Sequence, residues 1–338
     1  MISWWLLTIF GSSFMLTWLM RRYALKMQML DYPNQRSSHL LPTPRGGGVA
    51  IVVCFAVASL LLAVSGRISR QDLLSVCLPG CLVAVVGFMD DRGGLPAKVR
   101  LAMHVVAALL AVYLADLSAA SPLFWPVKPE WSWLGYPLII FLLVWVLNLN
   151  NFMDGIDGLA AIETLSVSGG GALILWLHQD SSGFVVWLLL LGAATAGFLV
   201  WNWPPARIFM GDAGSGFIGI VLGIMALLTS LRGGVSVWSW LILYGIFIVD
   251  ATFTLAVRIA RGEKFYLAHR SHTYQILARR WGSHLKVTLG VLAVNLFWLF
   301  PLSFFADIYL EYAIIFAVIA FVPLVWLAIH VGAGRSDS

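Results

Sequence analysis

Apolar stretches of roughly 17–25 residues, the length a helix needs to cross a bilayer, recur along the whole chain. Eleven are legible: 3–20, 46–64, 73–89, 99–117, 134–150, 158–177, 184–201, 216–230, 237–257, 286–305 and 309–331. Those ending near 89 and 230 are short, so ten spans also fit. The chain has 338 residues, 60% of them hydrophobic and 11% charged. A soluble domain carries about 25% charged residues. The expectation is one all-α, polytopic membrane domain over residues 1–338, because no interval between the stretches could hold a separate soluble domain.

The charges orient it. MISWWLLTIF has no basic n-region, and Arg21 and Arg22 follow the apolar run. The first segment therefore reads as a span with its N-terminus outside. With eleven spans, 17 of the 21 Lys and Arg fall in loops on the cytoplasmic side. Arg67, Arg70, Lys128 and Arg232 fall outside. The net charge of +5 is then mostly an orientation signal, with basic loops touching anionic lipid. Cys54, Cys77 and Cys81 lie within spans and read as packing residues.

Loops 21–45, 90–100, 148–157, 202–215 and 258–286 all face the cytoplasm on this reading. They hold nearly all the unusual polar residues. NLNNFMDGIDGLA places Asn148, Asn151, Asp154 and Asp157 three residues apart, roughly on one helix face. In hydrocarbon each charge would cost ~3 kcal/mol or more, so the ladder belongs at a membrane surface. Asp90-Asp91 and the Gly211-Asp212-Ala213-Gly214 turn lie beside apolar segments in the same way.

Clustered carboxylates ~4 Å apart repel by ~4 kcal/mol at a dielectric near 20 and call for a cation. Oxygen-only ligands suit Mg²⁺, or Mn²⁺. Arg45, Lys98, Arg100, Arg258 and Arg270 add positive charge on the same face. Gly46–Gly48, Gly211, Gly214 and Gly216 would let backbone approach phosphates. Together these point to phosphoryl transfer involving a lipid.

Blander readings stand beside each motif. PTPRGGG could be a tight turn or close helix packing, and GDAGSG a plain turn. Asp90-Asp91 and Asp157 could cap helices. Asp250 could pair with Arg258 or with another helix, and His104 could be a satisfied packing residue. His284 and His330 carry no signal. A transporter would also hold polar groups in spans, but near the midplane; here they gather at segment ends on one side.

The order Arg36…His39…PTPRGGG, Asp90-Asp91 with Lys98, NxxNxxDGxDGL, GDxGS and a late His-x-x-His resembles the polyprenyl-phosphate N-acetylhexosamine-1-phosphate transferases over about residues 36–275. The resemblance implies that undecaprenyl phosphate attacks a UDP-N-acetylhexosamine and releases UMP, in the bacterial inner membrane. It makes Asp90 the base, with Asp91 beside it and Asp157 also catalytic. It assigns Asp212 and Asp154 to Mg²⁺. It assigns Lys98, Asn148, Asn151, Arg45, His269, Arg270 and His272 to substrates. Membrane lipid is a further partner, nucleic acid is not, and a homodimer is left open. Tyr274 stands where many relatives have a third histidine. That resembles the branch using 6-deoxy sugars such as FucNAc or QuiNAc for O-antigen initiation; UDP-GlcNAc use, for teichoic acid or common antigen, is the alternative.

Overall fold

The computed structural model describes residues 2–33, 41–115, 135–180, 182–232, 234–263 and 269–335. Arg36 to His39 and the outside loop 118–133 lie outside the described residues. The helices are α1 (Ile2–Lys26), α2 (Val49–Val64), α3 (Arg70–Gly93), α4 (Ala97–Leu114), α5 (Gly135–Phe152), α6 (Leu159–Leu177) and α7 (Phe184–Asn202). They continue as α8 (Asp212–Leu231), α9 (Val237–Leu243), α10 (Gly245–Ala260), α11 (Thr273–Trp281), α12 (His284–Val294), α13 (Phe300–Ile308) and α14 (Ala313–Val331). Among the described residues the only strands are the two-residue pair β1 (Leu30–Asp31) and β2 (Thr43–Pro44), antiparallel.

Nine described helical stretches are long and apolar enough to cross a membrane. Residues 237–260, bent by 75° between α9 and α10, make a tenth if they form one span. Each of the eleven segments read from the sequence is mainly helical over its described residues. The count falls short because α2 has only 16 residues, about 24 Å against a hydrocarbon core of about 30 Å.

Burial sorts the bundle. Most of α6, α7 and α8 is enclosed: the apolar window of α8 is 78% buried. Helices α1, α4 and α14 expose most of their apolar side chains, with only 17–22% of each window buried. In a lipid solvent an apolar exterior carries no penalty, and helices associate by close packing instead. Glycine supplies that closeness where α2 and α3 meet α8. A Cβ on Gly48 would overlap Gly214 Cα, and one on Gly87 would lie 2.5 Å from the Asp212 carbonyl.

This corrects one expectation. The Gly47 and Gly48 amides donate to the Phe209 and Met210 carbonyls, each at 2.9 Å, while Phe209 N–H donates to Pro44 O at 2.8 Å. The glycines of PTPRGGG lace β2 to the 208–210 loop; those two amides do not face a ligand.

Candidate active site

Three helix ends converge: the C-termini of α3 and α5 and the N-terminus of α8. Asp91, 3% exposed, reaches across to α8. Its two oxygens accept from the backbone N–H groups of Asp212 (3.1 Å) and Ala213 (3.2 Å). An anion at the first-turn amides satisfies orphan donors and complements the helix dipole. Gly211, with φ +77°, makes the approach feasible: a Cβ there would sit 2.5 Å from Asp91 Oδ2. Asp91 thus aims Asp212.

Asp212 and Asp90 then share one guanidinium. Arg100 Nη1 donates to Asp90 Oδ2 at 2.6 Å and to Asp212 Oδ2 at 2.8 Å. Asp90 Oδ1 also accepts from Leu95 N–H. Asn151 Nδ2 donates to Asp212 Oδ1 at 2.9 Å and to Ser215 Oγ at 3.2 Å. Asp154, in the turn after α5, is half-buried. Burial, then the charges of Asp212, Asp91 and Asp157, push its carboxyl well above the usual carboxylate range.

Among the described residues no group of three His, Cys, Asp or Glu has the arrangement of a metal site. Asp90 and Asp212 are nonetheless oxygen donors bridged by the Arg100 cation, and the Asp212 charge acts on Asp154. That chemistry fits a hard divalent ion.

The other predicted residues are spread around this centre. Asp157 takes a different set of partners: its Oδ2 accepts from Ala206 N–H at 3.1 Å and lies 3.2 Å from His284 Nδ1, while its carbonyl accepts from Thr288 Oγ1 at 2.8 Å. A cavity of about 510 Å³ opens beside it, lined in part by Pro204, Arg279, Ser283 and His284. Asn148 donates back to Val144 O of its own helix at 2.7 Å. Lys98 is exposed on the first turn of α4. Arg45 brings its charge to bear on Asp91, and its buried Nε has no partner.

His272 caps α11 and is 3% exposed. Its Nδ1 is 3.4 Å from Asp250 Oδ1, and its ring centroid is 4.8 Å from that of His269. Asp250 accepts from the Thr273 and Tyr274 N–H groups at 2.8 and 3.0 Å. Tyr274 O–H donates to Phe152 O at 2.9 Å, which ties the histidine segment to the Asn/Asp ladder. Burial, with His272 and Arg258 nearby, pushes His269 down to about 3. The Arg270 carbonyl accepts from Arg279 Nη1 at 2.8 Å.

Asp250 meets another helix, α11, as one of its two readings allowed, and Arg258 pairs with Glu263 at 2.7 Å. Other expectations need correcting. His104 Nδ1 is buried without a partner, so it is not satisfied. His284, which gave no signal, meets Asp157. Arg100 is the central cation, although in sequence it is one of five equivalent positive charges. Asn202 escaped notice entirely: its Oδ1 accepts from Gly158 N–H at 2.9 Å, and its Nδ2 donates to Ile208 O at 3.0 Å.

Known proteins match this chain closely. The family described as glycosyl transferase family 4 matches residues 73–230. A probable undecaprenyl-phosphate N-acetylglucosaminyl 1-phosphate transferase from Bacillus subtilis (strain 168) is 32% identical over 327 residues, covering 92% of this chain and 87% of the relative. A decaprenyl-phosphate N-acetylglucosaminephosphotransferase from Mycolicibacterium smegmatis is 33% identical over 236 residues, 64% of this chain and 56% of its own. A phospho-N-acetylmuramoyl-pentapeptide-transferase from Synechococcus sp. (strain CC9311) is 32% identical over 223 residues, 62% and 59% respectively.

Proposed function

This chain belongs to glycosyl transferase family 4, the polyprenyl-phosphate N-acetylhexosamine-1-phosphate transferases, and on that premise we propose that it moves an N-acetylhexosamine-1-phosphate from a UDP-sugar to undecaprenyl phosphate. A lipid phosphate oxygen forms the new P–O bond at the sugar-proximal phosphorus. The bond from that phosphorus to the bridging oxygen breaks, and UMP leaves. The observation that supports this most directly is the Asp90–Arg100–Asp212–Asn151 cluster at one end of the bundle.

Each residue has a role there. Asp90 accepts the proton of the lipid phosphate at Oδ2. Arg100 keeps that carboxylate ionised and offers a cation to phosphate oxygens. Asp91 holds the α8 N-terminus so that Asp212 faces Asp90. Asn151 fixes the rotamer of Asp212. Asp212 and Asp154 would hold Mg²⁺ or Mn²⁺, which would neutralise diphosphate charge and improve UMP as a leaving group. Arg45 and Lys98 serve the phosphates; His269, Arg270 and His272 serve the donor.

The relatives named for N-acetylglucosamine favour UDP-GlcNAc as donor. The 6-deoxy reading drew on Tyr274, and Tyr274 is 3% exposed with its hydroxyl on Phe152 O. Its influence on the sugar is therefore indirect. We place the site on the cytoplasmic face of a bacterial inner membrane, on the charge asymmetry of the loops.

A donor screen tests this. Purified protein, undecaprenyl phosphate and Mg²⁺ are mixed with UDP-GlcNAc, UDP-FucNAc, UDP-QuiNAc or UDP-MurNAc-pentapeptide. Label should enter the lipid fraction with free UMP from UDP-GlcNAc, and EDTA should stop it. Exclusive use of the 6-deoxy donors would return the assignment to Tyr274. Absence of lipid-linked label from every donor would sink the reading.

A further inference from the structure

The chain beyond α14 folds back onto the histidine segment. Arg280 Nη2 donates to Val331 O at 2.9 Å, fastening α11 to the end of α14. Gly332 (φ +85°) then closes the helix, Ala333 is buried, and Gly334 (φ +75°) reverses the chain. The Gly334 N–H donates to Ser271 O at 2.9 Å. A Cβ at 334 would lie 2.7 Å from Val257 Cβ and 2.8 Å from Thr254 O, both on α10. Glycine is thus needed at 334 twice, for its left-handed backbone and for its lack of a side chain.

Ser271 sits between the two histidines. Its hydroxyl lies 3.0 Å from His269 Nδ1. Other fastenings of this segment come from α5, α10 and α11: Phe152 O holds the Tyr274 hydroxyl, Asp250 holds the Thr273 and Tyr274 amides, and Arg279 holds the Arg270 carbonyl. Gly334 adds a hold from a further direction, at the peptide that joins His272 to its predecessor. The Asp90–Arg100–Asp212 cluster is built from α3, α4 and α8, and residues 332–335 do not contribute to it.

We propose that residues 332–335 form a positioning hook that sets the placement of His269 and His272, and through them the affinity for the nucleotide-sugar donor. The donor clause rests on the function proposed above. Loosening the hook displaces the histidine segment and leaves the phosphate chemistry in place. The expected signature is a raised KM for the UDP-sugar with little change in kcat.

The test uses full-length protein in lipid nanodiscs. Gly334→Val inserts a side chain against α10, and a stop after Val331 removes the hook. Gly332→Asn is the control: asparagine tolerates φ > 0, and the nearest atom to its Cβ is Arg335 Cδ at 3.8 Å. Amide hydrogen exchange over 271–276 should quicken by about tenfold in both hook variants and not in the control. KM for the UDP-sugar should rise by about tenfold, with kcat and KM for undecaprenyl phosphate within about twofold of the parent. Unchanged exchange over 271–276 in both hook variants overturns the proposal. So does quickened exchange across α3 and α8, which would make the hook a general brace. Exchange needs no turnover, so a parent protein inactive with every UDP-sugar refutes the function while the hook is still decided.

Discussion

Asp212 and Asp90 differ from Asp91 in what their carboxylates do, and substitution should separate them. Asp212→Asn keeps the shape but removes the charge that Arg100 answers to and that the proposed divalent ion would need. Turnover should fall by ~10³-fold or more, with melting temperature nearly unchanged. Asp91→Asn places an amide donor against the N–H of Asp212 or Ala213. That leaves a buried donor unmet at a cost of about 1–3 kcal/mol, so activity and thermal stability should fall together. If Asp91→Asn lost activity without melting earlier, Asp91 would be acting on substrate and not on α8. His269 gives a pH signature. Its imidazole is pushed down to about 3 from an ordinary 6.5, first by burial. A depressed histidine contributes stability that is complete above the unfolded value and is lost as pH falls from there toward the folded one. Between about pH 7 and about pH 4.5 the parent should lose melting temperature that His269→Gln retains. Equal losses would show that His269 is not carrying the acid sensitivity. At this scale the site was half legible. Asp90, Asn151, Asp154 and Asp212 stand out because polar groups at the ends of apolar spans demand a reason. Arg100, His284 and Asn202 do not, because which cation, ring or amide meets which carboxylate is decided by tertiary contact and leaves no local pattern.

Among the elements, glycine spacing decides how closely helices meet. Gly48 of the PTPRGGG segment and Gly214 of GDAGSG touch each other, so the two motifs are one packing contact seen from two sides. Gly48→Ala must push α2 from α8 and drag the Asp212 end with it. Gly169→Ala in α6 meets nothing within 4 Å and gains helix propensity of up to about 1 kcal/mol. In detergent the first should melt earlier and turn over slowly, and the second should match the parent or melt later. A Gly48→Ala protein with parental activity would show that the backbone contact is not what aims Asp212. The spanning helices were readable, because membrane spans advertise themselves by length; the nine-residue α11, inside the loop 258–286, was not. The bend of 75° between α9 and α10 was not: residues 237–257 are apolar on both sides of Tyr244, and a hydropathy pattern carries no angle. The short extent of α2 was missed for a related reason. Its first three apolar-range residues are glycines, occupied in the turn that laces Phe209 and Met210.

For the molecule as a whole, two sets of polar residues stand at opposite ends of α3 and α8. Asp90, Asp212, Asn151 and the hook gather at one. At the other, Arg232 pairs with Asp72, Nη1 to Oδ2 at 3.1 Å, and His178 Nε2 lies 3.1 Å from Asp307 Oδ2. The second set joins α3 to α8 by an ion pair and α6 to α13 by a histidine–carboxylate contact, with no carboxylate ladder beside them among the described residues, as expected of a closure and not of a site. The bundle fixes which residues share an end; the charge bias of the loops decides which end faces the cytoplasm. Lys98 and Arg67 are exposed at opposite ends, so they make a direct test. With Cys54, Cys77 and Cys81 replaced, Lys98→Cys should resist a membrane-impermeant maleimide in intact cells and react after permeabilisation. Arg67→Cys should react in both. The reverse pattern would put Asp90 and Asp212 outside, where nucleotide sugars made in the cytoplasm could not reach them, and the proposed transfer would fail on topology alone.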